Sequence, residues 1–428
     1  MHWLYKSVQA KPAELKALLY SFAYFFCLLC SYYMLRPVRD EMGIQGGVEN
    51  LQWLFTATFV AMVCTIPVFG WLGSRFARAK LLPVVYGFFI LNIVLFYLLY
   101  RTGTIPPQYL ARGFFVWVSV FNLFAVSVFW SFMVDLFDAE QAKRLFGFIA
   151  AGGSAGAIAG PTLTALLAGP VGPINLLLIS ALFLGAALFC MYRLRGWARR
   201  HQRREPRALG GGNFDGVRRV AQSPYLLGIC MYVLLYSMIS TFLYFTQAEI
   251  VRDAFSESSD RTRLFALMDL LTNGLTISLQ IFVTGRFARR WGLGVTLALV
   301  PAIVIVGFTI LSIFPVLTVL ICVQVLRRAG NYAIARPGRE MLFSVLARED
   351  KYKSKNFIDT VVYRGGDAIS GWVYAGLSAI GMMASGIAAV GAIAGAIWLA
   401  IGWQLGQARS RMEPVDPADA MDAVRVSR

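Results

Sequence analysis

Two short stretches carry the residues best suited to chemistry, "RPVRDE" at 36–41 and "RPGREM" at 336–341. Each sets two arginines three residues apart, on one face of a helix, with an acid four residues after the first. Each also holds a proline, which frees backbone carbonyls that only a polar or packed environment can satisfy. Arg327, Arg328 and Arg364 lie in similarly apolar surroundings. Guanidinium groups stay charged when desolvated, and their forks match the oxygens of carboxylates and phosphates. Arg36, Arg39, Arg336 and Arg339 are therefore candidate contacts for an anion. Asp40, Asp269, Glu340, Asp359 and Asp367 are the candidate charge partners, and Asp40, Asp269 and Glu340 are also candidates for proton coupling. The alternative is that these groups form structural salt bridges and touch no ligand. Tyr32, Tyr33, Trp130 and Tyr332 accompany the charges, and could stack on a ring or simply pack.

Other chemistries find little support. The six cysteines all fall in apolar segments, and Cys27 and Cys30, although spaced like a redox pair, lack the βαβ context that would make them one. His2 and His201, the two histidines, lie in basic segments, so no histidine metal site can be built. No Gly-rich phosphate loop or nucleophile elbow occurs. Nothing calls for a cofactor, and the chain reads as a non-enzyme.

The elements that must position the arginines are membrane spans. Of 428 residues, 58% are hydrophobic, against roughly 45–50% in soluble domains. Mean hydropathy is +0.62. Apolar runs long enough for a hydrocarbon core of about 30 Å recur along the whole length. Twelve spans are expected, at about 13–41, 49–73, 81–101, 108–136, 143–168, 173–192, 223–250, 259–285, 291–313, 315–347, 355–381 and 384–406. The first is read as a retained span rather than a signal peptide. Exposed to lipid, each of the seven arginines would cost about 2.5–3.5 kcal/mol. They must face a polar cavity, pair or snorkel.

The expected organisation is an N-terminal six-helix bundle (1–192), a basic linker (193–222), a C-terminal six-helix bundle (223–407) and a polar, disordered tail (408–428). Lys and Arg number 28 on the side holding both termini and the linker, against five on the other. The positive-inside rule makes the first side cytoplasmic. That asymmetry also explains the net charge of +17 without a nucleic-acid partner. "SRFAR" (74–78) and "GRFAR" (285–289) stand 211 residues apart, and "AKRLFGFIAAGGSAG" (142–156) and "YKSKNFIDTVVYRGG" (352–366) stand 210 apart. The two near-equal offsets suggest a duplication of six spans with shared orientation, as in major-facilitator transporters. "AAGGSAGAIAG" (150–160) reads best as small residues that let two helices approach closely.

"GWLGSRFARAK" (70–80) resembles the loop between spans two and three of the major facilitators, with Ser74 where an aspartate is usual. Over most of its length the chain also resembles the ATP/ADP translocase family of plastids and intracellular bacteria, a major-facilitator relative. "SYYMLRPVRDEM" (31–42) is similar to that family's first-span signature, with Arg39 at a position that is typically lysine. "FWSFMVDLFDAEQAKRLFGF" (129–148) and "FALMDLLTNGL" (265–275) resemble its fourth-to-fifth-span connection and eighth span. The closest likeness is "NYAIARPGREMLFSVLAREDKYKSKNFIDTVV" (331–362). The resemblance implies an all-α fold of twelve transmembrane helices in two six-helix repeats, with helices 1, 4, 7 and 10 lining a central cavity. It implies alternating access and nucleotide exchange, with Arg39 and Arg339 on phosphates and Lys353 or Lys355 in a cytoplasmic gate. Leu243 and Gln247 depart from it, standing where an acid and a lysine are expected, and Arg336 replaces an acid.

The expected protein is thus an inner-membrane secondary transporter of an anionic metabolite, a nucleotide first. Arg39 and Arg339 are expected to approach one anion from opposite halves, held between cycles by Asp40 and Glu340. The alternatives are a proton-coupled carrier of another organic anion and, from a different class, a non-transporting scaffold or receptor.

Overall fold

The computed structural model describes residues 11, 14–75, 78–201, 220–346, 354–355 and 357–412. Most of the linker, the tail beyond 412 and Lys353 lie outside the described residues. Long helices account for nearly all of the rest: α1 (Leu15–Gln45), α2 (Leu51–Arg75), α3 (Arg78–Thr102), α4 (Pro107–Leu136), α5 (Ala139–Leu167), α6 (Leu176–His201), α7 (Pro224–Ala254), α8 (Ser258–Leu279), α9 (Gly285–Ile313), α10 (Leu317–Gly330), α11 (Arg336–Leu342), α12 (Tyr363–Ala379) and α13 (Ala384–Arg411). Ten helices among the described residues are long and apolar enough to cross a membrane.

The expected tenth and eleventh spans are the exceptions, because both are broken. A π-turn at Asn331–Ala335 separates α10 from α11, and another at Ile358–Val362 precedes α12. The first break has a covalent cause. Pro337 has no N–H to donate to Ala333 four residues earlier, and the Thr284 hydroxyl donates to the Ala333 carbonyl instead, at 2.8 Å. The sixth helix runs past the expected end at 192 to His201. Trp197, packed on Phe137 at 6.2 Å between ring centroids, gives that extension a hold.

Contacts divide the chain into two compact units, neither of them a contiguous run. Unit 1 is Met1–Asn50, Val60–Leu209 and Arg252–Asn273, and unit 2 is Leu51–Phe59, Gly210–Val251 and Gly274–Arg428. In unit 1, α1 packs against α4, α5 and α6. The small residues of 150–160 permit the α1–α5 approach. A Cβ on Gly160 would lie 2.7 Å from the Cys30 carbonyl oxygen, and one on Gly152 would lie 2.5 Å from that of Phe22. The start of α5 is fixed by a capping box, in which Asp138 accepts from the N–H groups of Glu140 and Gln141 and Gln141 accepts from the Asp138 N–H. Gln141 and Arg144 then reach Glu14 at the foot of α1, at 2.9 and 3.2 Å.

In unit 2, α13 lies along α9, and Gly395 and Gly402 meet the α9 residues Ile305 and Leu297. Segment 51–59 belongs here through Trp53, edge-on to Trp372 at 4.7 Å, and Thr56, which accepts from the Trp372 indole N–H. On α3, Val84, Phe88, Leu91 and Leu95 follow helical spacing and are about half to two-thirds exposed. An open apolar stripe of this kind suits lipid, not water.

Candidate functional site

Unit 1 gathers its charges where α1 meets the start of α8. Glu41 is fully buried, and its carboxylate lies 2.8 Å from Arg261 Nε. That approach is an ion contact off the N–H axis; the aligned hydrogen bond runs from Arg261 Nη2 to Glu41 Oε1 at 3.1 Å. One turn lower on α1, Arg36 Nε stands 3.6 Å from Asp269 Oδ2 and 5.9 Å from the centre of the Tyr33 ring. Asp269 is 1% exposed. Below it, Asn273 donates to the Ala157 carbonyl on α5. These three contacts explain why 252–273 counts with unit 1.

Arg39 faces another way. Its Nε and Nη2 donate to Asp40 Oδ1 at 3.1 and 2.8 Å, its Nη1 reaches Ser119 Oγ at 3.5 Å, and its guanidinium lies 4.8 Å from the Phe115 ring centre. Tyr32 is buried against Tyr33 and Phe121. Trp130 packs among Phe25, Phe129 and Phe146. Both rings are engaged in aromatic packing.

Unit 2 holds its own polar constellation on α7, α10, α11 and α12. Arg339 Nη2 lies 2.9 Å from Asp359 Oδ1, and Lys355 Nζ donates to Glu340 Oε2 at 2.5 Å. The expected Arg339–Glu340 pairing is therefore replaced by two others. Asp359, within the π-turn before α12, takes Arg339, and Lys355, just ahead of that turn, takes Glu340. Arg336 is exposed and makes no ion pair among the described residues. Arg364 pairs with Asp367 at 3.3 Å, and the Ser237 hydroxyl donates to the other Asp367 oxygen at 2.5 Å. Gly366 makes that approach of α7 and α12 possible, since a Cβ there would lie 3.1 Å from Ser237 Oγ.

Above these pairs, Arg327 Nη2 donates to Gln324 Oε1, and Gln324 Nε2 donates to Gln247 Oε1 on α7, each at 2.8 Å. Gln247, read from the sequence as a departure, thus has a structural partner. Tyr236 lies under the Arg327 guanidinium and stacks on Tyr363.

Sequence reasoning did not single out Glu41–Arg261, Gln324, Ser237 or Ser119. Arg261 sits at the start of its helix and counted only as a loop charge. Its partner is 220 residues away, and only the acid ending "RPVRDE" hinted that a cation was needed. A groove of about 550 Å³ between α9 and α10, lined by Ile303, Val306, Ile310, Val319, Cys322 and Leu326, carries no charged group and does not belong to either constellation.

Comparisons with known proteins agree with this architecture. The chain is 22% identical to ADP,ATP carrier protein 1 of Chlamydia muridarum (strain MoPn / Nigg), over 85% of its own length and 82% of that protein's. It is also 22% identical to ADP,ATP carrier protein 1 of Chlamydia pneumoniae, over 90% of each. Among solved structures, it resembles a bacterial homologue of the iron transporter ferroportin (TM-score 0.66, 14% identity, covering 92% of this chain and 98% of that one). It likewise resembles the nucleoside transporter NupG (TM-score 0.64, 12% identity, covering 94% and 100%). At these identities the solved structures speak for the fold alone. The sequence model described as the Major Facilitator Superfamily matches residues 17–352. With its apolar helices and this match over most of its length, the chain belongs to the Major Facilitator Superfamily and is a multi-pass membrane transporter of that type.

Proposed function

We propose that the cargo is an anionic metabolite, in the first place an adenine nucleotide exchanged as ATP for ADP by alternating access. The membrane is an inner membrane, with both termini cytoplasmic. One observation carries this reading. Helices α10 and α11 place Arg327, Arg336 and Arg339 within thirteen residues. Arg339 meets Asp359, and Glu340, the one acid of the two helices, is taken by Lys355. Arg327 is buried with no carboxylate paired to it among the described residues. Such an excess of arginine at membrane depth is costly unless an anion visits it. The relatives named ADP,ATP carriers favour a nucleotide as that anion.

Uptake of labelled ATP into proteoliposomes tests it. Internal ADP should accelerate uptake severalfold over empty vesicles. If neither condition gives uptake above protein-free vesicles, the nucleotide reading fails.

Asp367 favours a second reading. It is 8% exposed and bonded to Ser237 and Arg364, a carboxylate placed to take up and release a proton. A proton-coupled carrier of another organic anion would ignore internal ADP and respond to an imposed pH gradient.

A further inference from the structure

Arg327 is 3% exposed, with no carboxylate paired to it among the described residues. An arginine has five N–H donors. Here only Nη2 has an acceptor, while Nε and Nη1 are closed off from solvent without a hydrogen-bond partner. A buried guanidinium in this state is costly, and its surroundings orient it without neutralising it.

The orientation is well determined. Arginine can only donate, so the Gln324 carbonyl oxygen must face it, which turns the Gln324 amide N–H towards Gln247. That bond ties α10 to α7. On the other side the Tyr236 ring centre lies 5.9 Å from the guanidinium, and its hydroxyl accepts from Asn331 at 3.0 Å. Tyr236 in turn stacks on Tyr363. Every one of these neighbours is neutral. Arg339 and Arg364, by contrast, each lie against an aspartate that an incoming anion would have to displace.

We infer that Arg327 is an anion-binding residue on the translocation route, taking a phosphate or carboxylate group of the cargo when α7 and α10 part. This rests on the anionic-cargo reading above and goes beyond it. It assigns the contact to an arginine whose charge is left open, and gives Gln324, Gln247 and Tyr236 the role of holding its fork. A guanidinium with one donor engaged can still grip an oxyanion through two parallel N–H bonds.

A positioning of this kind sets stability against binding. Removing the charge should relieve the empty protein while removing the grip. The purified full chain in detergent is melted with increasing ATP, citrate or inorganic phosphate, for the wild type, R327Q and R327K. R327Q should melt at or above the wild-type temperature without anion, and bind the stabilising anion at least about tenfold more weakly. R327K, which keeps the charge and loses the fork, should fall between them. Affinity decides: a folded R327Q with wild-type anion affinity overturns the assignment of Arg327 and leaves the anionic cargo standing. If R327Q does not fold, R327K decides in the same way, a severalfold loss supporting the assignment and an unchanged affinity overturning it. If none of the three anions stabilises the wild type, the anionic-cargo reading itself fails and the assignment of Arg327 fails with it.

Discussion

Replacing Glu41 by glutamine should cost the protein about 3 kcal/mol or more of stability, a loss visible as a large fall in melting temperature in detergent. Glu41 is fully buried, and its partner Arg261 keeps only 14% of its side chain exposed. Glutamine preserves the shape but leaves the guanidinium without a counter-charge, which is the expensive way to break a buried pair. Neutralising both partners removes the stranded charge. The double variant Glu41→Gln with Arg261→Gln should therefore recover more than half of the loss. A single variant as stable as the wild type, or a double variant worse than the single, would show that the pair does not hold α8 to α1.

A comparable loss is expected from Gly156→Leu, for a steric reason. The position lies where α5 crosses α1, and a Cβ there would press on the Phe26 carbonyl and stand 3.0 Å from the Cys30 amide nitrogen. Backbone atoms cannot swing aside as a flexible side chain can, so the helices must separate. Overpacking of this type costs about 1–3 kcal/mol, and the rigidity of the contact places this case at the upper end. Gly147→Leu is the control, because a Cβ there meets nothing within 4 Å. Equal melting temperatures for the two variants would mean that the close approach is not needed.

Much of the fold was legible because it depends on local pattern. Apolar runs are properties of short segments, and the small residues of 150–160 announced a close crossing that α1 and α5 make. The breaks were only half legible. Pro337 flagged a freed carbonyl, but nothing in the sequence pointed to Thr284 as the group that satisfies it, since the two lie 53 positions apart in the chain. The charge pairs were harder still. Arg39–Asp40 followed from adjacency, whereas Glu41–Arg261, Arg36–Asp269 and Arg339–Asp359 depend on which helices meet. Arg327 shows the limit most clearly. Next to Arg328 it read as one of two arginines, either of which could snorkel or pair, and only the packing of α7 against α10 distinguishes a buried, oriented cation from a surface one.

On the reading proposed above, the intramembrane arginines gain their meaning from a charged cargo, so the most direct test is whether charge is what binds. The purified protein is titrated with ATP, ADP, AMP and adenosine at low and at high salt. Recognition by arginine forks predicts that affinity rises with each phosphate, that adenosine binds weakest, and that added salt weakens ATP far more than adenosine. Adenosine binding as tightly as ATP, with no dependence on salt, would contradict it.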